Sequence, residues 1–400
     1  MSAAVPARAA RIVVLAGVCA ALHIAKLPPA IDALRADLGL SLLQAGFLLS
    51  LVQLAGMTVG AAFGAVADRL GGRRSVITGL LVLTFASLAG GVARGPAALM
   101  VLRAVEGFGF LLVVLPPPGL LRQIMPPAGL SRMLGLWGAY MPFGTALALL
   151  LGPLVIEAVG WRPWWWAMAA ATAVMALAVM RGVPALPASP GAAAGIGRRL
   201  RLTLAAPGPW LVAVTFAAYS SQWLAVIGFL PTIVAAQVGS GLGTGVLTAV
   251  VAAANMVGNI AAGRRLQAGV PAVRLLRIGF VTMALTAVAA FAAVDGVALP
   301  PPLRFGAVLV FSLVGGLVPT TLFALALRVA PGEQTVAATV GWMQQWSALG
   351  QFAGPPLVAW IAARSGGWQW TWLFTAAAAA AGLGLSGAIA RLLRRPPAAG

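Results

Sequence analysis

Residues 152–166 read Gly152-Pro153-Leu154-Val155-Ile156-Glu157-Ala158-Val159-Gly160-Trp161-Arg162-Pro163-Trp164-Trp165-Trp166. Residues 354–372 read Gly354-Pro355-Pro356-Leu357-Val358-Ala359-Trp360-Ile361-Ala362-Ala363-Arg364-Ser365-Gly366-Gly367-Trp368-Gln369-Trp370-Thr371-Trp372. Gly152-Pro153 pairs with Gly354-Pro355, Gly160-Trp161 with Gly367-Trp368, and upstream Trp137 with Trp342. An apolar run, an arginine and a tryptophan-rich restart therefore occur twice, about half a chain apart. That is the mark of an internally duplicated protein.

The composition says what was duplicated. Of 400 residues, 61% are hydrophobic and 8% charged, against about 25% charged in a soluble domain. Such a chain cannot cover its own surface with polar groups, so it is dissolved in lipid over most of its length. Apolar runs of about 20 residues fall near 11–33, 41–66, 75–93, 97–121, 132–158, 163–181, 209–236, 243–262, 273–293, 305–327, 335–362 and 369–390. We expect an all-α integral membrane protein of twelve helices, built as two six-helix repeats. The halves are residues 1–181 and 209–400, joined by a loop at 182–208 rich in Pro, Ala and Gly. Six is even, so both halves enter the membrane from the same side.

Of 26 Lys and Arg, nineteen fall on the side that holds both termini and the central loop. Five (Arg35, Arg94, Arg162, Arg304 and Arg364) fall on the other, and Lys26 and Arg103 lie within spans. Positive charge stays inside, so both termini are expected in the cytoplasm and the protein in the cell (inner or plasma) membrane. Topology explains the net charge of +19, and nucleic acid is not needed as a partner. Arg8 and Arg11 precede an apolar stretch as in a secretory signal, but Val13–Ala25 lacks a clean small-x-small cleavage site; an uncleaved first helix is expected.

Other classes are excluded by inventory. One Cys (Cys19) and one His (His23) can form neither a disulfide nor a structural zinc site within the chain. The single lysine, Lys26, lies in no G-x-x-x-x-G-K run. No metal or cofactor is expected, and the energy for any pumping must come from a gradient or another subunit.

The loop after the second span reads Gly64-Ala65-Val66-Ala67-Asp68-Arg69-Leu70-Gly71-Gly72-Arg73-Arg74, and span 4 carries Arg103-Ala104-Val105-Glu106-Gly107-Phe108-Gly109. With twelve spans and the duplication, this resembles the major facilitator superfamily, whose signatures are G-x-L-A-D-R-x-G-R-[RK] and R-x-x-[QE]-G-x-G. The match departs at Gly72, and the second copy, Asn259–Arg265, has Gly263 where Asp68 would sit. Lys26-Leu27-Pro28-Pro29 and the run Gly135–Thr145 look more loosely like the cyanate-permease and nitroimidazole-transporter branch. The resemblance implies a conformational latch of Gly64, Asp68, Arg69, Gly71 and Arg73 stabilising the outward-open state; the plainer reading of the arginines is topology charge. It also implies that spans 3, 6, 9 and 12 face lipid. These four carry no ionisable side chain in mid-membrane, while the others hold nearly all the rest.

His23 and Lys26 share one face of span 1, and Arg103 and Glu106 one face of span 4. Lys26 lies about 22 Å beyond Arg11 at ~1.5 Å per residue, too deep to reach the cytoplasm. Two readings stand. Lys26 snorkels outward and Arg103–Glu106 is a structural pair, or two cations and a titratable His face a cavity and attract a small anion. Glu106, the one carboxylate placed in mid-membrane, is the expected proton-coupling residue. Further substrate-binding candidates are Trp137, Tyr140, Tyr219, Gln222, Asn255, Gln344 and Gln345. Trp164, Trp165, Trp166, Trp368, Trp370 and Trp372 read as an interfacial belt. The expected protein is a monomeric secondary transporter that moves a small, anionic solute by alternating access with proton coupling, and not an enzyme. The alternatives are a proton-coupled drug exporter and a non-transporting membrane receptor or accessory subunit. Drug exporters of the superfamily carry roughly G-x-x-x-G-P-x-x-G-G on span 5; only Gly152-Pro153 of it is present.

Overall fold

The computed structural model describes residues 4–58, 70–185, 195–294 and 297–394. Almost all of it is helix, as an apolar chain in lipid requires, because only a helix satisfies its own backbone there. A two-stranded ribbon pairs Ala293 with Ala298 and Val294 with Val297.

The chain begins with α1 (Ala4–Ala25), a 3₁₀ turn (Pro28–Ala30), α2 (Ile31–Leu38) and α3 (Leu42–Leu51). Then come α4 (Gly72–Gly91), α5 (Pro96–Val114), α6 (Pro117–Ile124), α7 (Pro127–Gly138), α8 (Tyr140–Val159) and α9 (Trp161–Gly182). The second half has α10 (Ile196–Ala205), α11 (Pro207–Val238), α12 (Leu242–Gln267), α13 (Ala272–Phe291), α14 (Pro301–Gly315), α15 (Leu317–Val329), α16 (Val336–Ser365) and α17 (Thr371–Arg394).

Local chemistry sets many of these limits. Proline opens α5, α6, α7, α11 and α14, where its missing N–H costs nothing. Ser41 and Gln44 form a reciprocal capping box at the start of α3, at 3.1 and 2.9 Å. Gly160, at φ 87°, separates α8 from α9 in a conformation that other residues adopt only with strain.

Among the described residues, ten helical stretches are long and apolar enough to cross a membrane. They correspond to ten of the twelve expected spans. The second span is represented by the short apolar helix Leu42–Leu51, and its residues 59–66 lie outside the described residues. The eleventh is α16, a helix of 30 residues. It is long enough, but Gln344, Gln345, Gln351 and Arg364 lower its hydropathy.

The contacts divide the chain into two compact units, Met1–Ala194 with Ile227–Ala249, and Gly195–Val226 with Val250–Gly400. In the first, α4 packs against α5 and α9, and α1 against α8 and α9. In the second, α13 packs against α14 and α17. The helices α4, α9, α13 and α17, from spans 3, 6, 9 and 12, expose Phe85, Val174, Leu285 and Leu373. Apolar side chains left outside are what a lipid-facing surface needs.

Close helix approach depends on glycine at two places that matter below. A methyl group on Gly107 of α5 would strike the Val52 carbonyl just beyond α3. One on Gly79 of α4 would strike the Gly109 carbonyl and Leu112 of α5. These contacts bring α5 close enough to its neighbours for its polar face to be sealed.

Candidate functional site: a buried charge cluster in the first unit

α1 ends one residue before Lys26, whose backbone N–H still bonds the Leu22 carbonyl at 2.8 Å. His23 and Lys26 therefore keep one helical face, and the turn at Pro28 ends it. On α5, Arg103 and Glu106 are three residues apart and face α1. All four side chains are at most 1% exposed.

Glu106 is the hub. Its Oε1 pairs with the Lys26 ammonium, and its Oε2 accepts from Arg103 Nη1 at 2.5 Å. His23 Nδ1 lies 3.4 Å from both Glu106 Oε1 and Lys26 Nζ. The same Arg103 nitrogen donates to the His23 carbonyl at 2.7 Å, and Arg103 Nε donates to the Leu48 carbonyl of α3 at 3.2 Å. Arg103 is thus fixed by three elements at once.

Two cations face one carboxylate, so the cluster carries one positive charge in excess with His23 neutral. Isolated charges in a low-dielectric interior cost many kcal/mol, and pairing offsets that only when further hydrogen bonds complete the shell. Here the shell is nearly complete. Two buried nitrogens, Arg103 Nη2 and His23 Nε2, have no hydrogen-bond partner.

The surroundings remove one alternative reading and correct one expectation. Lys26 does not snorkel; it is fully buried. Trp164 and Trp165 are not on an outer belt either; they are 2% and 1% exposed. Trp164 Nε1 donates to the Lys26 carbonyl at 3.0 Å, and the Lys26 ammonium lies 4.7 Å from the Trp165 ring centroid. Ser87 of α4 accepts from Lys26 Nζ at 2.8 Å and donates to the Trp165 carbonyl at 2.7 Å. Ser87 was not singled out from sequence. Its spacing of three from Thr84, whose hydroxyl meets Thr172 of α9 at 3.0 Å, marks a polar face on α4. Trp166 and Trp370, by contrast, are exposed.

The other candidates divide. Trp137 and Tyr140 stack across the break between α7 and α8, with ring centroids 4.4 Å apart. Gly17 of α1 seats the Trp137 ring. Neither joins the hydrogen bonds of the charge cluster.

The second unit holds a neutral network instead. Asn255 Nδ2 of α12 donates to the Tyr219 hydroxyl of α11 at 3.0 Å and to the Ser312 carbonyl of α14 at 2.9 Å. Asn259 Nδ2 donates to Asn255 Oδ1 at 3.0 Å, and Thr320 of α15 donates to Asn259 Oδ1 at 2.9 Å. Gln222 bonds back to the Ala218 carbonyl at 2.9 Å and leaves its buried Oε1 unpartnered. Gln344 is exposed and Gln345 half-buried on α16. Of the latch residues, Gly64, Asp68 and Arg69 lie outside the described residues. Gly71 (φ 79°) precedes α4, and Arg73 donates to the Met180 carbonyl near the end of α9 at 2.5 Å.

The sequence pattern of the Major Facilitator Superfamily matches residues 13–346. This chain belongs to that superfamily. It is a multi-pass membrane protein with the facilitator fold. A solved structure of a bacterial homolog to the human lysosomal transporter Spinster, inward-facing and occupied, is similar over all of both chains with a TM-score of 0.81 at 14% identity. The unoccupied form gives 0.75 at 15% identity, covering 98% of this chain and 96% of that one. At such identity the likeness is one of fold.

Among curated proteins, the puromycin resistance protein pur8 of Streptomyces alboniger is 30% identical over 156 residues, 39% of this chain and 31% of that protein. The tetracenomycin C resistance and export protein of Streptomyces glaucescens is 29% identical over 99 residues, 25% of this chain and 18% of its own length. The multidrug resistance protein B homolog of Mycobacterium tuberculosis is 30% identical over 155 residues, 39% of this chain and 29% of that protein. The chain thus matches less than a third of the length of each.

Proposed function

We propose that this facilitator is a secondary active transporter moving a small organic or inorganic anion together with a proton by alternating access. The observation that carries the reading is the buried set Lys26, Arg103 and Glu106, with one cation in excess and two buried nitrogens, Arg103 Nη2 and His23 Nε2, unpartnered. The guanidinium offers a planar fork to an anion, and Lys26 a point charge. An anion that takes these cations competes with Glu106 for them. The displaced carboxylate would carry a buried charge alone, so a proton must accompany the anion. That makes Glu106 the coupling residue and His23 its neighbour in the relay.

The neutral groups Tyr219, Gln222, Asn255, Gln344 and Gln345, with Trp137 and Tyr140, orient the solute without adding charge. In this reading residues 1–181 and 209–400 are the two moving bundles, 182–208 is a cytoplasmic connection, and the transporter works as a monomer. Asp68, with Gly64, Arg69, Gly71 and Arg73, latches the outward-open state.

A second reading has its own support. The relatives named above are resistance and export proteins, and Trp210, Trp342 and Trp346 form a ring group in the second unit, with centroids 4.9 to 6.1 Å apart. Such rings suit a planar drug expelled in exchange for protons.

Proteoliposome uptake of cyanate, nitrate, lactate, oxalate and benzoate, with and without an inward proton gradient, separates the two. The anion reading expects one of them to accumulate only with the gradient. It also expects Glu106→Gln to abolish accumulation while sparing exchange. If no anion moves and a neutral or cationic drug is expelled instead, the exporter reading replaces it. Binding without movement of any solute would point to a receptor.

A further inference from the structure

At one end of the second unit, the start of α13 and the end of α17 enclose a recess of about 460 Å³. Its apolar lining is Pro271, Val273, Ala390 and Leu393. Three arginines close on it, Arg274 and Arg277 from α13 and Arg394 from α17. None is in an ion pair among the described residues.

The face that bears this recess continues as an apolar stripe. From Arg274 the steps along α13 are four, three, four and three, to Ile278, Val281, Leu285 and Val288. Those spacings keep one helical face. All four side chains are exposed. The surface therefore offers a concentrated positive end, and then about 15 Å of uncovered hydrocarbon from Ile278 to Val288 at ~1.5 Å per residue. A molecule that matches both parts has an anionic head and a long apolar tail.

We propose that this recess binds the headgroup of an anionic phospholipid, whose acyl chain lies along the α13 stripe. Guanidinium groups take phosphate oxygens through two parallel N–H bonds. Basic pockets between transmembrane helices are suited to such headgroups. Topology alone does not account for the arrangement. The positive-inside rule needs charge on one side and is indifferent to where the side chains converge. A free phosphate would use the arginines and leave the apolar stripe without a role, so the lipid is the occupant the surface favours.

Native mass spectrometry of the full-length protein in detergent tests this, with dioleoylphosphatidylglycerol and dioleoylphosphatidylcholine as probes of identical tail. We expect one phosphatidylglycerol held in preference to phosphatidylcholine. The combined variant Arg274→Gln, Arg277→Gln, Arg394→Gln should weaken its binding on the order of a hundredfold. A control that removes equal charge elsewhere, Arg198→Gln, Arg201→Gln, Arg264→Gln, should change it by less than about threefold. If the arginine variant does not fold, Leu393→Glu, which puts a charge of the headgroup's own sign into the lining, should cause a comparable loss. Equal losses in both triple variants would reduce the effect to bulk electrostatics and overturn the proposal. So would equal affinity for phosphatidylcholine, or inorganic phosphate displacing the lipid at equal concentration.

Discussion

Glu106 is the residue on which the first unit turns, because one carboxylate balances two buried cations. Removing it strands both. Glu106→Gln should destabilise the purified protein by about 3–5 kcal/mol, the cost of breaking a buried pair. Lys26→Met should cost less, because Arg103 still partners Glu106. The double variant should be more stable than the sum of the two single losses implies, with a coupling of about 1–3 kcal/mol. Thermal and denaturant melts in detergent would measure all three. Strict additivity would mean that the Lys26–Glu106 contact carries no energy. Gly107→Ala probes the same site through packing. The added methyl meets the Val52 carbonyl, pushes α5 from α3 and draws Arg103 from the Leu48 carbonyl. It should lower transport and stability together, whereas alanine at Gly135, whose methyl would meet nothing within 4 Å, should not.

At the scale of elements, α4 and α9 do two jobs. Their outer faces are apolar, as their polar-poor sequences indicate. Their inner faces reach the charge cluster through Ser87, Trp164 and Trp165. The two hydroxyls of α4 should then differ in weight. Thr84→Val removes a neutral bond to Thr172, for which about 0.6 kcal/mol is usual between membrane helices. Ser87→Ala removes an acceptor from a buried ammonium, worth about 1.5–3 kcal/mol. On the proposed anion reading, Ser87→Ala should also raise KM several-fold at little change in maximal rate, because Lys26 loses one of the groups that orient it. Thr84→Val should leave KM unchanged. Equal effects of the two on KM would remove Ser87 from the site.

The tryptophans show why this was hard to read in advance. A run of Trp after Gly160 at a helix start has the composition of an interfacial belt. Trp164 and Trp165 are buried because α1 and α4 close over them, and Trp166, one step further round the helix, is not. Ser87 gave a weak signal for the same reason. A serine in an apolar helix is common, and only its neighbours say whether it meets a charge.

At the scale of the molecule, orientation is a matter of arginines. Cys19 is the single cysteine, so Cys19→Ser provides a background for single-cysteine labelling. Arg94→Cys and Arg198→Cys, both at exposed positions, should react with a membrane-impermeant maleimide from opposite sides. Arg94→Cys should react from outside intact cells, and Arg198→Cys only after the membrane is opened. Labelling of both from outside would overturn the topology read from the charges.

The amino-acid sequence by itself determined the membrane class, the internal duplication, the approximate spans and the superfamily. Each of these depends on composition, period or short-range order. It also marked His23, Lys26, Arg103 and Glu106, because ionisable groups inside apolar helices are costly and therefore conspicuous. Tertiary structure decided which groups they meet. It joined Lys26 to Glu106 across 80 positions and to Ser87 across 61. It brought the Trp165 ring to the ammonium and left Trp137 and Tyr140 outside the cluster's bonds. It gave the second unit a neutral network where the first has charges. Those outcomes depend on which helix faces pack together, and a helix's own sequence specifies its faces without specifying its neighbours.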